Sequence, residues 1–166
     1  MPQFETALAA YQGFAEEFLS VAIATVSADG TPNASYTPFV FDENKNIYIY
    51  VSGLATHTQN LHAVPKASVL FIEDESKTKQ IFARRRLIFD CTVTLIERDT
   101  DFWQQIVGSF ETRFGDIIQM LRELPDFRIF KLTPNTGRFV IGFGAAYEVD
   151  PNGFGTLKQI TAENSK

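Results

Sequence analysis

Three short strand patterns follow one another between residues 20 and 52, and this succession constrains the fold more than any other feature. They are Ser20–Ala28, Asn33–Phe41 and Ile47–Ser52. The dipeptide Asp29-Gly30 separates the first two and is a strong hairpin signal, and the polar segment Asp42–Asn46 separates the second from the third. Strands joined by such short turns pair antiparallel. The sequence therefore predicts an antiparallel sheet at the start of the fold.

The rest of the chain extends this sheet and adds helices. Apolar residues at helical spacing predict an N-terminal helix that ends near Phe18 and shorter helices at Thr56–Ala63, Thr100–Arg113 and Asp116–Leu124. Further strand patterns occupy Ala67–Glu73, Gln80–Glu97, Phe127–Leu132 and Gly137–Val149, with a turn at residues 134–137. We predict a mainly β fold, an antiparallel barrel of six to seven strands with helices. A single domain spans residues 1–149, and residues 150–166 form a C-terminal tail.

Composition limits the classes of partner. The 166 residues include 15 basic and 20 acidic side chains, and a net charge of −5 argues against nucleic-acid binding, which depends on neutralising phosphates. No segment approaches the ~18 apolar residues of a membrane span, and the N-terminus has no signal-peptide pattern. The single cysteine, Cys91, cannot form an intrachain disulfide. These features predict a cytoplasmic protein that binds neither nucleic acid nor membranes.

The segment from Ser52 to Leu61 is the first candidate site. Thr56, with Gln59 three residues later, matches a capping box, which makes Thr56 the predicted N-cap of the short helix. Free backbone N–H groups at a helix N-terminus favour phosphate or carboxylate. Side-chain donors accompany them on Ser52, Thr56, His57, Thr58 and Asn60. The pattern fits an anion site and, equally, a well-capped helix without a ligand.

A run of three arginines, Arg84 to Arg86, is the second candidate site. In an extended strand, Arg84 and Arg86 share one face about 7 Å apart. Two guanidinium groups at that spacing can hold a diphosphate, a phosphate or two propionates. Arg85 falls on the opposite, apolar face and therefore needs a partner. The alternative is a solvated strand face paired with acids such as Asp90.

Two glycines near the end of the chain are the third candidate site. Gly142 and Gly144 fall on one face of the predicted last strand, where glycine permits close approach of a ligand or another backbone. The segment lacks the third glycine and the following helix of a dinucleotide-binding fingerprint, so a Rossmann fold is excluded. Neither histidine, His57 or His62, stands in a zinc-binding spacing with Cys91.

Four motifs of this chain occur together, in order, in one known family. They are Leu54-Ala55-x-His57-x-x-Asn60-Leu61, Ala83-Arg84-x-Arg86-Leu87, Leu124-Pro125-Asp126-Phe127 and Gly142-Phe143-Gly144-Ala145-Ala146-Tyr147. The chain thereby resembles haem-utilisation proteins of the HutZ/HugZ type, from about Phe14 to Val149. These proteins belong to the FMN-binding split-barrel superfamily of pyridoxamine 5'-phosphate oxidase-like proteins.

The resemblance implies a split-barrel homodimer that holds a flat anionic cofactor, haem or FMN, between its two barrels. In flavin-binding members, the turn that matches residues 52–60 and nearby basic residues hold the FMN phosphate. In haem-binding members, the residues that match His57, Arg86 and Asp126 line or support the haem site. By this resemblance, Arg86 meets a propionate or the distal oxygen species, and Asp126 orients the proximal ligand of the iron.

The resemblance also bears on the iron ligand. Haem-degrading members use a histidine of the C-terminal tail, and residues 150–166 contain none. Haem iron is usually held by His, Cys, Met or Tyr, which leaves His57, His62, a tyrosine such as Tyr147, or no side chain of this chain as the iron ligand.

The function implied by the resemblance is that of a haem-binding and haem-degrading, haem oxygenase-like oxidoreductase, with Arg86 and Asp126 as catalytic residues. One alternative is an FMN-dependent oxidoreductase, in which the protein anchors the flavin. The other is a haem storage or delivery protein without catalysis. In each case Ser52–Leu61, the arginines and the two glycines are expected to surround one groove between the subunits.

Overall fold

The computed structural model describes residues 2–161. The first half of the chain contains α1 (Pro2–Phe14), β1 (Ser20–Val26), β2 (Pro32–Phe41), β3 (Ile47–Ser52), α2 (Thr56–Ala63) and β4 (Lys66–Ile72). The second half contains β5 (Arg86–Ile96), α3 (Asp101–Phe114), α4 (Ile117–Arg122), β6 (Phe127–Gly142), β7 (Ala145–Val149) and β8 (Leu157–Gln159). Within residues 2–161, no helix has the length and apolar character needed to cross a membrane.

Six antiparallel strands close into a barrel, which confirms the predicted fold class. The strand order is β3–β2–β1–β4–β5–β6, and β3 also pairs with β6, from Ile47 opposite Leu132 to Ser52 opposite Phe127. Strands β7 and β8 continue the sheet beyond β6. The sheet has eight strands rather than six to seven, because residues 157–159 of the predicted tail pair with β7. Residues 162–166 of that tail lie outside the described residues.

Alternation of side chains along the strands separates the barrel interior from its outside. In β1, Val21 and Ile23 are buried, whereas Ala22 and Ala24 are exposed. Strands β4 and β5 show the same two-residue period, because successive side chains of a strand point to opposite faces. Among residues 2–161, no helix covers the outward side of these strands, and the candidate binding surface lies on this side.

Helices cover the rest of the barrel. At one end, Tyr11 and Phe14 of α1 pack edge-to-face on Phe139, with ring centroids 5.7 and 5.3 Å away. Helices α3 and α4 pack on the outside of β3, where Tyr50 lies edge-on to Trp103. Strand β3 is therefore buried on both faces, which explains its unbroken run of apolar and aromatic residues.

The turn predicted at residues 134–137 is wrong, because β6 runs unbroken through it. The pairing with β5 shifts between Asp90 and Cys91, so that Asn135 is the extra residue of a β-bulge. Turn-forming residue types are also those that a bulge accepts, which made the two indistinguishable in sequence. Gly137 is required here, since a Cβ atom would lie 2.7 Å from the Phe89 ring.

Candidate functional site

The turn after β3 is tied to the turn before β6. The Gly53 amide donates to the Asp126 carbonyl oxygen at 2.8 Å, and Ser52 Oγ donates to Asp126 Oδ2 at 3.1 Å. A Cβ atom on residue 53 would lie 2.6 Å from that carbonyl oxygen, so only glycine permits this approach. We call these three residues the Ser52–Asp126 junction. It brings together two residues that were predicted for the site from separate motifs.

Arg98 holds the Asp126 turn from its other side. Its guanidinium donates to the carbonyl oxygens of Arg122, Leu124 and Phe127 at 2.7, 3.2 and 3.4 Å. Hydrogen bonds from a charged donor are stronger than those between neutral groups. Arg98 was not predicted from the sequence, because its partners lie 24–29 residues further along the chain and form no motif with it.

Helix α2 begins at Thr56, but the predicted capping box is wrong. The N-cap is Ala55, and no side chain caps the helix. The amides of Thr58 and Gln59 donate to the Ala55 carbonyl oxygen at 3.1 and 3.2 Å, so they are not free for an anion. The Thr58 hydroxyl donates to the Ser52 carbonyl oxygen at 2.5 Å and closes the turn in place of a capping side chain.

The side chains of this segment divide into interior and surface groups. Thr58 and Asn60 are buried, and Asn60 Nδ2 donates to Thr25 Oγ1 at 3.1 Å, which fixes α2 onto β1. These two predicted ligand residues therefore lie in the interior. The Thr56 side chain is exposed, and among residues 2–161 no hydrogen bond engages the backbone amides of Thr56 and His57.

His57 is half-buried at the edge of this segment. Its Nδ1 atom lies 2.8 Å from the Ser35 hydroxyl of β2. Burial lowers the pKa of the imidazole, so the ring is neutral at neutral pH. Its Nε2 atom has no hydrogen bond within the described part of the chain. A neutral imidazole oriented through one nitrogen is the form that binds a metal through the other.

The three arginines separate in the structure. Arg84 precedes β5, so the prediction that it shares a strand face with Arg86 is wrong. Its Nε donates to the Glu73 carbonyl oxygen at 2.6 Å, and its guanidinium lies 3.5 Å from Glu75. Arg85 binds the Glu73 carboxylate through its amide at 3.0 Å and Nε at 2.8 Å, which confirms its need for a partner. The acidic run at the end of β4 therefore neutralises two of the three charges.

Arg86 differs from the other two arginines because it is not paired with an acidic side chain of residues 2–161. It begins β5 opposite Ile72 and Val140, and its guanidinium donates to the Arg84 carbonyl oxygen at 2.9 Å. Its side chain forms no ion pair with any residue from 2 to 161. Of the predicted arginine pair, only Arg86 is thus placed to meet an anion.

An apolar surface whose residues range from half-buried to exposed lies beside Arg86 on the outside of the barrel. We call it the outer face, and its central row crosses four neighbouring strands through Tyr36, Ala22, Leu70 and Ile88. Tyr36 is 69% exposed. Three strand spacings, about 14 Å in all, separate β2, whose Ser35 contacts His57, from β5, which begins at Arg86. An exposed apolar patch with a polar rim is typical of a binding surface.

The two glycines do not lie on a common strand face as predicted. Strand β6 ends at Gly142, and Phe143 and Gly144 form the short loop to β7. Gly144 has a φ of 65°, a conformation that glycine adopts readily. Its role is in the turn, and Gly142 lines a cavity described below.

The remaining metal candidates are not grouped around an ion. Tyr147 is 1% exposed and packs in the barrel core, so its position contradicts a role as surface iron ligand. His62 is exposed on α2, with its ring 5.1 Å from that of Phe130. Among the described residues, no three His, Cys, Asp or Glu side chains form a metal site. His57 contacts Ser35, which pairs with the buried Ile23 and therefore points to the side of β2 opposite the outer face.

Comparison with known proteins gives consistent matches. The pyridoxamine 5'-phosphate oxidase family pattern matches residues 7–141. Over 136 residues the chain is 44% identical to the haem oxygenase HutZ of Vibrio cholerae, covering 82% of this chain and 77% of that protein. The crystal structure of HutZ, described there as a haem storage protein from Vibrio cholerae, matches with a TM-score of 0.75 at 39% identity, over 80% of this chain and 94% of that one.

A second solved structure covers almost the whole chain. The crystal structure of ChuZ from Campylobacter jejuni matches with a TM-score of 0.84 at 35% identity, over 98% of this chain and 66% of that one. These matches confirm the resemblance to haem-utilisation proteins of the HutZ type. The chain belongs to the pyridoxamine 5'-phosphate oxidase family.

Proposed function

We propose that this chain binds haem on its outer face, that two copies enclose the ligand as a homodimer, and that the bound haem is degraded oxidatively with dioxygen and electrons from an external reductant. The observation that carries the proposal is the apolar outer face beside Arg86, which carries no ion pair among the described residues. Identity of 44% to a haem oxygenase supports the choice of ligand. The cytoplasmic location predicted from the sequence belongs to the same proposal.

The residues present fit haem. A flat apolar macrocycle suits the outer face, and the unpaired guanidinium of Arg86 suits a propionate. The neutral His57 ring leaves Nε2 as a candidate iron ligand. Because its partner Ser35 points to the other side of β2, the ring would reach the iron around the edge of that strand, which pairs with β3 only at residues 39–41. When bound, haem supplies the redox-active iron. Asp126 has one oxygen held by Ser52, while Oδ1 has no hydrogen bond within residues 2–161, so it can accept one from the ligand side.

The same surface also supports the proposed homodimer. Exposed apolar area of this kind is costly in water unless a ligand or another chain covers it. The C-terminal tail also runs towards this surface. The Ile160 amide donates to the Ala146 carbonyl oxygen at 2.8 Å. Ala146 pairs with Val140, which in turn pairs with Arg86. The end of β8 therefore lies in the same row of the sheet as Arg86.

FMN is the second candidate ligand, and the unbonded first-turn amides of Thr56 and His57 favour it. However, the segment from Ser52 to Leu61 contains no lysine or arginine. The Ser52 and Thr58 hydroxyls are already bound within the chain. A phosphate here would depend on two amides and one hydroxyl, which makes haem the better fit. A haem storage protein uses the same surface without turnover.

Separate titrations with haem and FMN test the proposal. We expect a Soret band that saturates at a fixed stoichiometry, and its loss with ascorbate and oxygen. A Soret band that persists under those conditions would favour storage. Tight FMN binding without a Soret shift would overturn the haem proposal.

A matched pair of variants tests the location of the site. Ala22→Glu places a charge at the centre of the outer face and is expected to abolish both haem binding and the dimer, measured by light scattering. Ala9→Glu adds the same charge to an exposed position of α1 and serves as the control. Equal haem affinity of the two variants would contradict binding at the outer face.

A further inference from the structure

The loop between β4 and β5, residues 73–85, is fixed by its own hydrogen bonds. The Asp74 carboxylate accepts from the Ser76 amide at 2.8 Å, and the Asp74 carbonyl oxygen accepts from the Thr78 hydroxyl at 3.0 Å. Glu73 and Glu75 are paired with arginines as described above. The loop is therefore ordered without any ligand, and two of its three carboxylates are neutralised by arginine.

Two cations of this loop have no such partner. Lys77 and Lys79 are exposed, and neither forms an ion pair within the described residues, although Lys77 lies within electrostatic range of Asp74. The Gln80 side-chain oxygen Oε1 accepts from the Phe82 amide at 3.3 Å, which leaves the side-chain amide nitrogen of Gln80 as a donor. The loop thus offers two positive charges and one neutral donor to a ligand.

These groups stand over an apolar floor. The loop and the β6–β7 hairpin enclose a cavity of about 500 Å³, lined on the hairpin side by Ile141, Gly142 and Phe143. Phe143 is 71% exposed, which is costly for an aromatic side chain without a cover. The volume lies within the roughly 300–1,000 Å³ of small-molecule sites, which combine apolar walls with a few polar groups.

The cavity is separate from the outer face. Val140 pairs with Arg86, whereas Ile141, the extra residue at the irregularity between Val140 and Gly142, packs against the barrel core. Arg85, which also lines the cavity, likewise points away from Arg86, and its charge is cancelled by Glu73. A ligand here would share no lining residue with one on the outer face.

We propose that this cavity binds a small organic anion with an aromatic or aliphatic body. Lys77 and Lys79 would hold its carboxylate or sulfonate group, and Ile141 and Phe143 would contact its body. Charge complementarity selects an anion, although the chain as a whole carries a net charge of −5. The proposal does not depend on haem binding.

The test uses the fluorescent aromatic sulfonate 1-anilinonaphthalene-8-sulfonate as the probe. Gly142→Leu fills the cavity, and its Cβ would meet only Ala145 Cβ, at 4.0 Å, so the fold should tolerate it. The double variant Lys77→Glu/Lys79→Glu reverses the charge. Each is expected to raise the probe Kd about tenfold or more, as the loss of a charge-assisted contact implies. Lys66→Glu, at an exposed position on β4, is the control and should change Kd less than about twofold.

Near-UV circular dichroism checks that each variant is folded, because partly unfolded proteins also bind this probe. Saturating haem should leave probe binding unchanged, which keeps this proposal separate from the haem proposal. Absence of saturable probe binding to the wild-type chain would overturn the inference. So would an unchanged Kd in both cavity variants, or loss of probe binding in Ala22→Glu alone.

Discussion

The Ser52–Asp126 junction contains two residues predicted for the site, Ser52 and Asp126, and the outer face lies beside a third, Arg86, but the polar groups of the two regions are in opposite states. At the junction, the Ser52 hydroxyl and Gly53 amide are hydrogen-bonded to Asp126. At the outer face, Arg86 has no ion pair within residues 2–161, and Tyr36 is largely exposed. The polar groups of the junction are therefore satisfied within the chain, whereas Arg86 at the outer face has no ion-pair partner among the described residues.

The difference separates stabilising groups from binding groups. A hydrogen bond made within the chain contributes to stability, and the group that makes it is less available to a ligand. The same distinction divides the arginine run, in which Arg84 and Arg85 bind Glu75 and Glu73 while Arg86 faces outward. Substitution at the junction should therefore change stability most, and substitution at the outer face should change affinity most.

The largest effect is expected for Gly53→Ala. The new Cβ would lie 2.6 Å from the Asp126 carbonyl oxygen, which forces the two turns apart and breaks the Gly53 hydrogen bond. We expect a loss of about 2–4 kcal/mol in the free energy of unfolding. Urea unfolding measures it. Gly13→Ala, where an added Cβ meets nothing within 4 Å on an exposed part of α1, is the control and should be neutral or stabilising. Equal stability of both variants would contradict the tight junction.

Arg86→Ala should have the second-largest effect, on ligand affinity rather than on stability. Loss of a charge-assisted contact with a propionate should weaken haem binding by about 1.5–3 kcal/mol. The unfolding midpoint should barely move, because the side chain binds only the Arg84 carbonyl oxygen within the described chain. Lys131→Ala, which removes one positive charge from the part of β6 that pairs with β3, is the control. If both variants bind haem like the wild type, Arg86 is only a solvated residue.

The smallest effect is expected from the titration of His57. Burial lowers its pKa in the folded state, so between the folded and unfolded pKa values the unfolded chain binds more protons. Stability is therefore lost as the pH falls through the unfolded value of about 6.5. His57→Gln should flatten the dependence of the urea midpoint between pH 7.5 and 5, whereas His62→Gln, on the exposed side of α2, should not. If His57→Gln leaves the pH dependence of the urea midpoint unchanged, His57 is not the group that causes it.

Much of the fold could be predicted from local patterns. The bounds of β3 and α2 agree with the prediction, because each is set by residues close in sequence. Local signals failed where one signal serves two structures. Residues 134–137 are a bulge instead of a turn, and Thr56 is the first residue of α2 instead of its cap. At residues 134–137 the pairing with β5 decided the outcome, and at Thr56 the hydrogen bond from Thr58 to the Ser52 carbonyl oxygen did.

By itself, the sequence determined the antiparallel barrel, the helices and the family, because periodicity and ordered motifs are properties of the chain. The tertiary structure alone decided which candidate residues face a ligand. Ser52 meets Asp126 across 74 residues, Asn60 meets Thr25, and Arg85 meets Glu73. Whether a polar side chain has a hydrogen-bond or ion-pair partner depends on neighbours that only folding brings near. Side chains that have such a partner stabilise the fold, and those without one are available to bind a ligand.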